Sequence, residues 1–177
     1  MLSTYLTYLS EKQHNVAIRP LTQSDAKDIV KLINHCFPND KATKQKIEKS
    51  MSRSKPDLYY GAIYDNKIVG VMLVYPMNNS KSQASLYNFY NKQDGCLDKS
   101  ITLSKFKPEI LLQNFCVHAM FRGLKVGNKM LEFITGKYKR IFLKTDSNTS
   151  PQAYYLYKKY GFKDIDCKEP SSLFYRG

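Results

Sequence analysis

The sequence predicts a mixed α/β domain, built on a mixed sheet with helices on both faces. Three observations carry that expectation. The chain has 177 residues, 42% of them hydrophobic, enough for one domain of roughly 100–200 residues to bury a core without metal or disulfide staples. Its 14 Tyr and 9 Phe set it apart from a disordered basic tail. Strand-like and helix-like periods alternate in the order β-α-α-β-β-β-α-β-α-β-β, with no internal repeat, low-complexity tract or linker.

Residues 16–20 read as a short strand ended by Pro20. Thr22, Gln23, Ser24 and Asp25 supply capping groups ahead of Ala26, Ile29, Val30, Ile33 and Phe37, a stripe at helical spacing. A second, polar and basic helix is expected over residues 41–51, capped by Asn39 or Asp40 and with Pro56 beyond it. Residues 58–64 and 67–75 are β-rich runs on either side of Asp65 and Asn66, which tolerate the positive φ of a two-residue hairpin turn. Residues 76–108 are polar, with aromatics at Tyr87, Phe89 and Tyr90. They form a functional flap or a tolerated insertion, with a small helix over 84–90 as the plainer reading.

Residues 109–117 are an extended strand, followed by a glycine-bearing turn and an amphipathic helix that carries Val126, Met130, Leu131 and Ile134 on one face and stops at Gly136. Residues 140–145 form another strand. Ser150 and Pro151 read as an N-cap with proline at the first helical position, and Gly161 closes the helix that holds Ala153, Leu156, Tyr157 and Tyr160. Residues 162–167 and 172–176 are two short strands. One domain is expected over 1–177, with 1–14 an N-terminal extension.

The 28 Lys+Arg against 15 Asp+Glu leave a formal charge of +13, which invites a nucleic-acid reading because clustered cations supply sequence-independent affinity for phosphate. Residues 111–177 hold 12 basic and 5 acidic groups, over half of that excess. The longest apolar run, near Ile68 to Tyr75, is far short of the ~18–20 residues that span a bilayer. No basic region or small-residue cleavage pattern marks the N-terminus, so a soluble, cytoplasmic protein without a membrane partner is expected. Cys36, Cys96, Cys116 and Cys167 stand at long, irregular spacings, so reduced thiols and no metal are expected.

The chemistry concentrates where a strand runs into Arg122-Gly123-Leu124-Lys125-Val126-Gly127 and then a helix. Backbone N–H groups of such a turn, with the helix dipole behind them, face a pyrophosphate. The pattern is neither a P-loop nor a dinucleotide fingerprint. Residues 115–131, FCVHAMFRGLKVGNKML, resemble the acyl-coenzyme A binding segment of the GNAT superfamily of N-acetyltransferases, in which a strand ending in valine leads to Gln/Arg-x-x-Gly-x-Gly/Ala at a helix start. A second segment, Asn148 and then AYYLYKKYGF over 153–162, resembles that family's Asn…Ala-x-x-Leu-Tyr-x-Lys-x-Gly-Phe signature. The resemblance covers 16–176, with the specific motifs inside 109–162. Lys125 stands where the family usually has a glycine, and Asn148 lies two residues further from Ala153 than usual, which makes Ser150 its competitor.

That resemblance implies a GNAT-like acyl-CoA N-acyltransferase fold, with a mostly antiparallel twisted sheet of about six or seven strands. It also implies an N-acetyltransferase that passes the acetyl group of acetyl-coenzyme A to a primary amine of a small molecule or protein by direct attack. Phe115, Cys116 and Val117 would pair with the pantetheine arm, with an N–H near Val117 facing the thioester oxygen. Arg122, Gly123, Leu124, Lys125, Val126, Gly127 and Asn128 would hold the pyrophosphate, with Asn148 and Tyr157 also at the coenzyme. Tyr157 would protonate the departing sulfur as general acid.

The usual base position falls on Gln113, followed by Asn114, neither of which takes a proton, so a water chain or another group must serve. Glu109, Asp65, Asp146 and His118 are the candidates by placement. Cys116 lacks partners for a nucleophilic role and reads as a small buried thiol. The acceptor site is expected from residues 16–60 and the 76–108 segment, and a homodimer is compatible with the family. Two rival readings stand: a coenzyme A-binding relative without turnover, and a basic nucleic-acid-binding module, for which no recognisable motif is present.

Overall fold

The computed structural model describes residues 16–39, 41–52, 58–77, 107–146, 148, 150–164 and 171–177. The N-terminal extension, the helix expected over 84–90 and most of the 76–108 segment lie outside the described residues. The strands are β1 Ala17–Pro20, β2 Leu58–Tyr64, β3 Lys67–Pro76, β4 Ile110–Val117, β5 Ile141–Asp146, β6 Lys163–Asp164 and β7 Ser171–Arg176. The helices are α1 Ala26–Cys36, α2 Lys44–Met51, α3 Val126–Lys137 and α4 Pro151–Lys159. The strands form one seven-stranded sheet in the order β1-β2-β3-β4-β5-β7-β6. It is a mixed, mostly antiparallel sheet, in which β4 and β5 pair in parallel.

The chain divides into two compact units, Met1–Val74 with Asn114–Phe133, and Tyr75–Gln113 with Ile134–Gly177. In the first unit β1, β2 and β3 form an antiparallel meander. Asp65 and Asn66 adopt φ of +48° and +56°, the left-handed pair that a two-residue turn requires when its twist matches the flanking strands. Ala26, Ile29, Leu32 and Ile33 of α1 recur at helical spacing and bury against Tyr59, Val71 and Leu73 of the meander, with Ile47 of α2 in the same cluster. The turn into α1 is held by Asp25, whose carboxylate accepts the Thr22 N–H at 2.8 Å and both arms of the Arg19 guanidinium at 2.9 and 2.8 Å.

The second helix corrects the expected start and cap. It begins at Lys44, and Thr43 is its N-cap, the hydroxyl accepting the Lys46 N–H at 3.3 Å. The Asn34 side chain explains the shift: it accepts the Ala42 N–H at 2.8 Å and donates to the Ala42 carbonyl at 3.0 Å. With both backbone groups of residue 42 taken by a side chain, the helix cannot start earlier.

In the second unit β4 and β5 pair in parallel from Ile110↔Ile141 to Leu112↔Leu143, and β7 runs antiparallel between β5 and β6. Ile110, Leu111, Leu112, Ile141, Phe142 and Leu143 are all buried, as continuous apolar runs in strands covered on both faces should be. Gly136 lies inside α3, which ends one residue later at Lys137. Gly161 does close α4, at φ +80°, its N–H donating to the Lys158 carbonyl at 3.0 Å. No helix among the described residues is long and apolar enough to cross a membrane.

Candidate functional site

Beyond Leu112 the backbone of β4 changes character. Asn114 adopts φ +45°, a conformation that asparagine tolerates better than most L residues. The strand resumes through Phe115, Cys116 and Val117. The Cys116 carbonyl faces β3, close enough that a Cβ on Gly70 would lie 3.3 Å from it, and the His118 N–H donates to the Val69 carbonyl at 2.8 Å. Because successive strand residues direct their backbone groups to opposite sides, the N–H and carbonyl of Val117 point away from β3. That carbonyl accepts Arg122 Nε at 3.2 Å, and the Cys36 thiol of α1 lies 3.9 Å from it.

The link from β4 to α3 is then built in three steps. Ala119–Phe121 make one tight helical turn, started by His118, whose Nδ1 accepts the Met120 N–H at 3.3 Å and whose carbonyl accepts the Phe121 N–H at 2.9 Å. Gly123 follows at φ +81°, with open space around its α-carbon. Glycine is needed there for backbone conformation rather than for room. Lys125 is also left-handed, at φ +55°. The residue that departs from the usual glycine thus adopts a glycine-like conformation and leaves its ammonium exposed.

The Lys129 N–H donates to the Lys125 carbonyl at 3.1 Å, so the N–H groups of Val126, Gly127 and Asn128 lie ahead of the hydrogen-bond ladder of α3. Val126 is buried and anchors the helix start. Leu124, Gly127 and Asn128 are half-buried, while Arg122, Gly123 and Lys125 are exposed. Helix N–H groups, a glycine turn and two cations therefore share one short segment, an arrangement suited to a phosphate-bearing ligand.

His118 stacks on His35 of α1 at 4.7 Å and 11° between ring planes. With Nδ1 accepting the Met120 N–H, the neutral ring carries its proton on Nε2 and its lone pair is engaged by the backbone. These two rings, with Asp28, Lys31, Asn66 and Lys67, line a cavity of about 410 Å³ in the first unit. Asp65, at the hairpin tip, is exposed.

The remaining expected residues belong to the second unit. Gln113 is half-buried. Glu109 accepts the N–H groups of Lys139 and Arg140 at 2.8 and 3.2 Å and pairs with the Arg140 guanidinium at 3.2 Å. Burial works against its charge, but these donors hold the carboxyl below its ordinary range. It fastens the 109 and 139–140 segments together and is a poor proton acceptor. Asn148 is exposed in the turn between β5 and α4, and Ser150 is the N-cap of α4. Tyr157 is 5% exposed, its ring 5.7 Å from that of Phe162 and inclined at 61°.

The sequence gives no sign of the roles of Cys36, His35 and Asp28, because α1 reads as an ordinary amphipathic helix. Their partners at 66–68 and 116–122 are reached only through the fold.

The sequence matches a family profile described as acetyltransferase (GNAT) domain over residues 55–164, and a second profile of the same description over residues 17–82. Among solved structures, a GNAT family acetyltransferase from Elizabethkingia anophelis with acetyl-CoA bound is 20% identical, with 92% of this chain and 97% of that one covered and a TM-score of 0.55. PaiA N-acetyltransferase from Thermoplasma acidophilum in complex with coenzyme A is 17% identical, covering 91% and 98%, with a TM-score of 0.62. The ribosomal-protein-S18-alanine N-acetyltransferase from Escherichia coli is 12% identical, covering 91% and 92%, with a TM-score of 0.60. At these identities the likeness speaks for the fold alone. Among curated proteins none matches the sequence.

Proposed function

The chain belongs to the GNAT acetyltransferase family, and from that premise we propose that it transfers the acetyl group of acetyl-coenzyme A to a primary amine of a small molecule or protein by direct attack. The observation that carries the coenzyme reading is the turn after β4. Gly123 and Lys125 are both left-handed ahead of the α3 N-terminus, and Arg122 is fixed on the Val117 carbonyl, so the segment is preformed for the phosphates of the coenzyme. Two solved relatives of the same fold hold acetyl-CoA or coenzyme A.

In the proposed reaction the tail of β4, from Phe115 to Val117, lies along the pantetheine arm, and the Val117 N–H, directed away from β3, hydrogen-bonds the thioester oxygen as negative charge grows there. The amine lone pair attacks the carbonyl carbon, the C–S bond breaks, and Tyr157 gives its proton to the departing sulfur. Asn148, with Ser150 as its competitor, contributes a further contact to the coenzyme. The attacking nitrogen must also lose a proton. Gln113 cannot accept it, Glu109 is engaged by Lys139 and Arg140, and the His118 Nδ1 lone pair is engaged by the Met120 N–H. The proton therefore passes to a water chain or to a carboxylate elsewhere, with Asp65 and Asp146 the remaining candidates by placement.

The test is thiol release from acetyl-coenzyme A across a panel of small amines and peptide N-termini, with coenzyme binding measured alongside. The expected outcome is release that depends on one class of amine. Binding without release for every amine would leave a coenzyme-binding protein without turnover, and no binding at millimolar coenzyme would sink the proposal.

A further inference from the structure

The first unit brings together two cysteines whose thiols the proposed acetyl transfer does not use. Cys36 ends α1 and is half-buried, and Cys116 lies in β4 at 6% exposed. Cys36 packs against the core cluster that contains Cys116, and its Sγ lies 3.9 Å from the carbonyl oxygen of Val117, the residue bonded to Cys116. Arg122 Nε reaches the same oxygen at 3.2 Å, which sets a permanent cation beside the Cys36 sulfur.

We propose that Cys36 and Cys116 are an oxidant-sensitive dithiol, with Cys36 the sulfur that reacts first and Cys116 the one that resolves it into a disulfide. A hydrogen bond with the Cys116 thiol, and then the charge and hydrogen bond of Arg122, hold Cys36 below the ordinary thiol range in spite of burial. The same thiol contact, together with burial, pushes Cys116 up. Cys36 is the more exposed of the two sulfurs and the one with the Arg122 guanidinium beside it, so it is the first to form thiolate, the form that reacts with oxidants.

With a hydroperoxide as oxidant, the Cys36 thiolate attacks one peroxide oxygen and the O–O bond breaks. The sulfur becomes a sulfenic acid, and the other oxygen leaves as an alcohol or water after taking a proton. The Cys116 sulfur then attacks the Cys36 sulfur, the S–O bond breaks, and water departs with the Cys116 proton. In sum two thiols are oxidised to a disulfide and one peroxide is reduced. The new bond ties the C-terminus of α1 to the tail of β4 and withdraws the Cys36 S–H from the Val117 carbonyl, the group on which Arg122 is anchored.

The experiment treats fully reduced protein with hydrogen peroxide and follows it by intact mass and by peptide mapping without reductant. The expected product has lost two hydrogens and yields one linked pair of peptides, containing Cys36 and Cys116. In Cys116→Ser the reaction should stop at a Cys36 sulfenic acid that dimedone captures, and in Cys36→Ser neither product should form. Arg122→Gln should slow capture of Cys36 by ~3-fold or more. A linkage through Cys96 or Cys167, oxidation of Cys116 before Cys36, or no linked peptide at all would overturn the proposal. The wild-type map needs no variant, so the test stands even where a substitution impairs folding.

Discussion

Lys125 stands at φ +55° where the family pattern has glycine, and a left-handed L residue costs roughly 1–2 kcal/mol. Lys125→Gly removes that cost but adds backbone freedom to the unfolded chain, worth about 0.5–1 kcal/mol in the opposite sense. Unfolding by urea should therefore give a stability within about 1 kcal/mol of the wild type. Coenzyme A affinity should weaken a few-fold, and more at low salt, because an exposed cation has been lost. A clear drop in stability would show instead that the lysine side chain holds the turn. Tyr157 presents a different case, since its ring packs on Phe162 and Tyr157→Phe keeps that packing. Loss of the hydroxyl should lower turnover by ~100-fold or more with coenzyme affinity retained. Turnover at the wild-type level would remove Tyr157 from its proposed role.

At the scale of elements, the approach of β3, β4 and α3 depends on Gly70. A Cβ there would lie 2.7 Å from Met130 Sδ, 3.2 Å from the Ala62 Cβ and 3.3 Å from the Cys116 carbonyl oxygen. The methionine can move, but the strand on either side cannot do so freely, so Gly70→Ala should destabilise by about 1–3 kcal/mol. An unchanged urea midpoint would mean that Met130 absorbs the whole insertion. The entry to α1 has its own signature in pH. The Arg19 hydrogen bonds, assisted by the Thr22 N–H, lower the Asp25 carboxyl from 3.8 to about 2 against the effect of burial. A carboxyl lowered on folding stabilises at pH above its unfolded value and loses that contribution as pH falls from there toward its folded value. With the Arg19 side chain 45% exposed, solvent screening reduces the contribution to about 1 kcal/mol. The stability gap between wild type and Asp25→Asn should therefore be largest above pH ~5 and shrink toward pH ~2. A gap that does not change with pH would assign the loss to geometry alone.

For the whole molecule, the +13 charge is read by what it binds. If the cations around the β4–α3 turn serve a coenzyme, acetyl-coenzyme A at ~100 times its dissociation constant should stabilise the protein by about 2.7 kcal/mol. For a chain of this size that is a rise in melting temperature of roughly 5–10 °C. RNA or DNA should give binding that collapses between ~50 and ~200 mM salt and shows no sequence preference. A melting temperature unmoved by the coenzyme, together with salt-resistant nucleic-acid binding, would reverse the assignment.

Much of the fold was legible in the sequence because it is written in local signals. The Asp65-Asn66 turn, the Pro151 start and Gly161 stop of α4, and the apolar periods of α1 and β4 each act over a few neighbouring residues, and the elements form where those signals lie. The two family motifs were legible for the same reason, each being a short segment with its own spacing. The start of α2 was not, because Asn34, distant in sequence, claims the backbone of Ala42. Nor was Glu109 recognisable as a structural carboxylate, since Lys139 and Arg140 reach it only once β4 and β5 pair. The meeting of Cys36, Cys116 and Arg122 around the Val117 carbonyl likewise belongs to the tertiary structure. Local propensity fixes which residues form a helix or a strand, whereas the neighbours that tune a side chain's chemistry come from segments far apart in the chain, and only packing decides them.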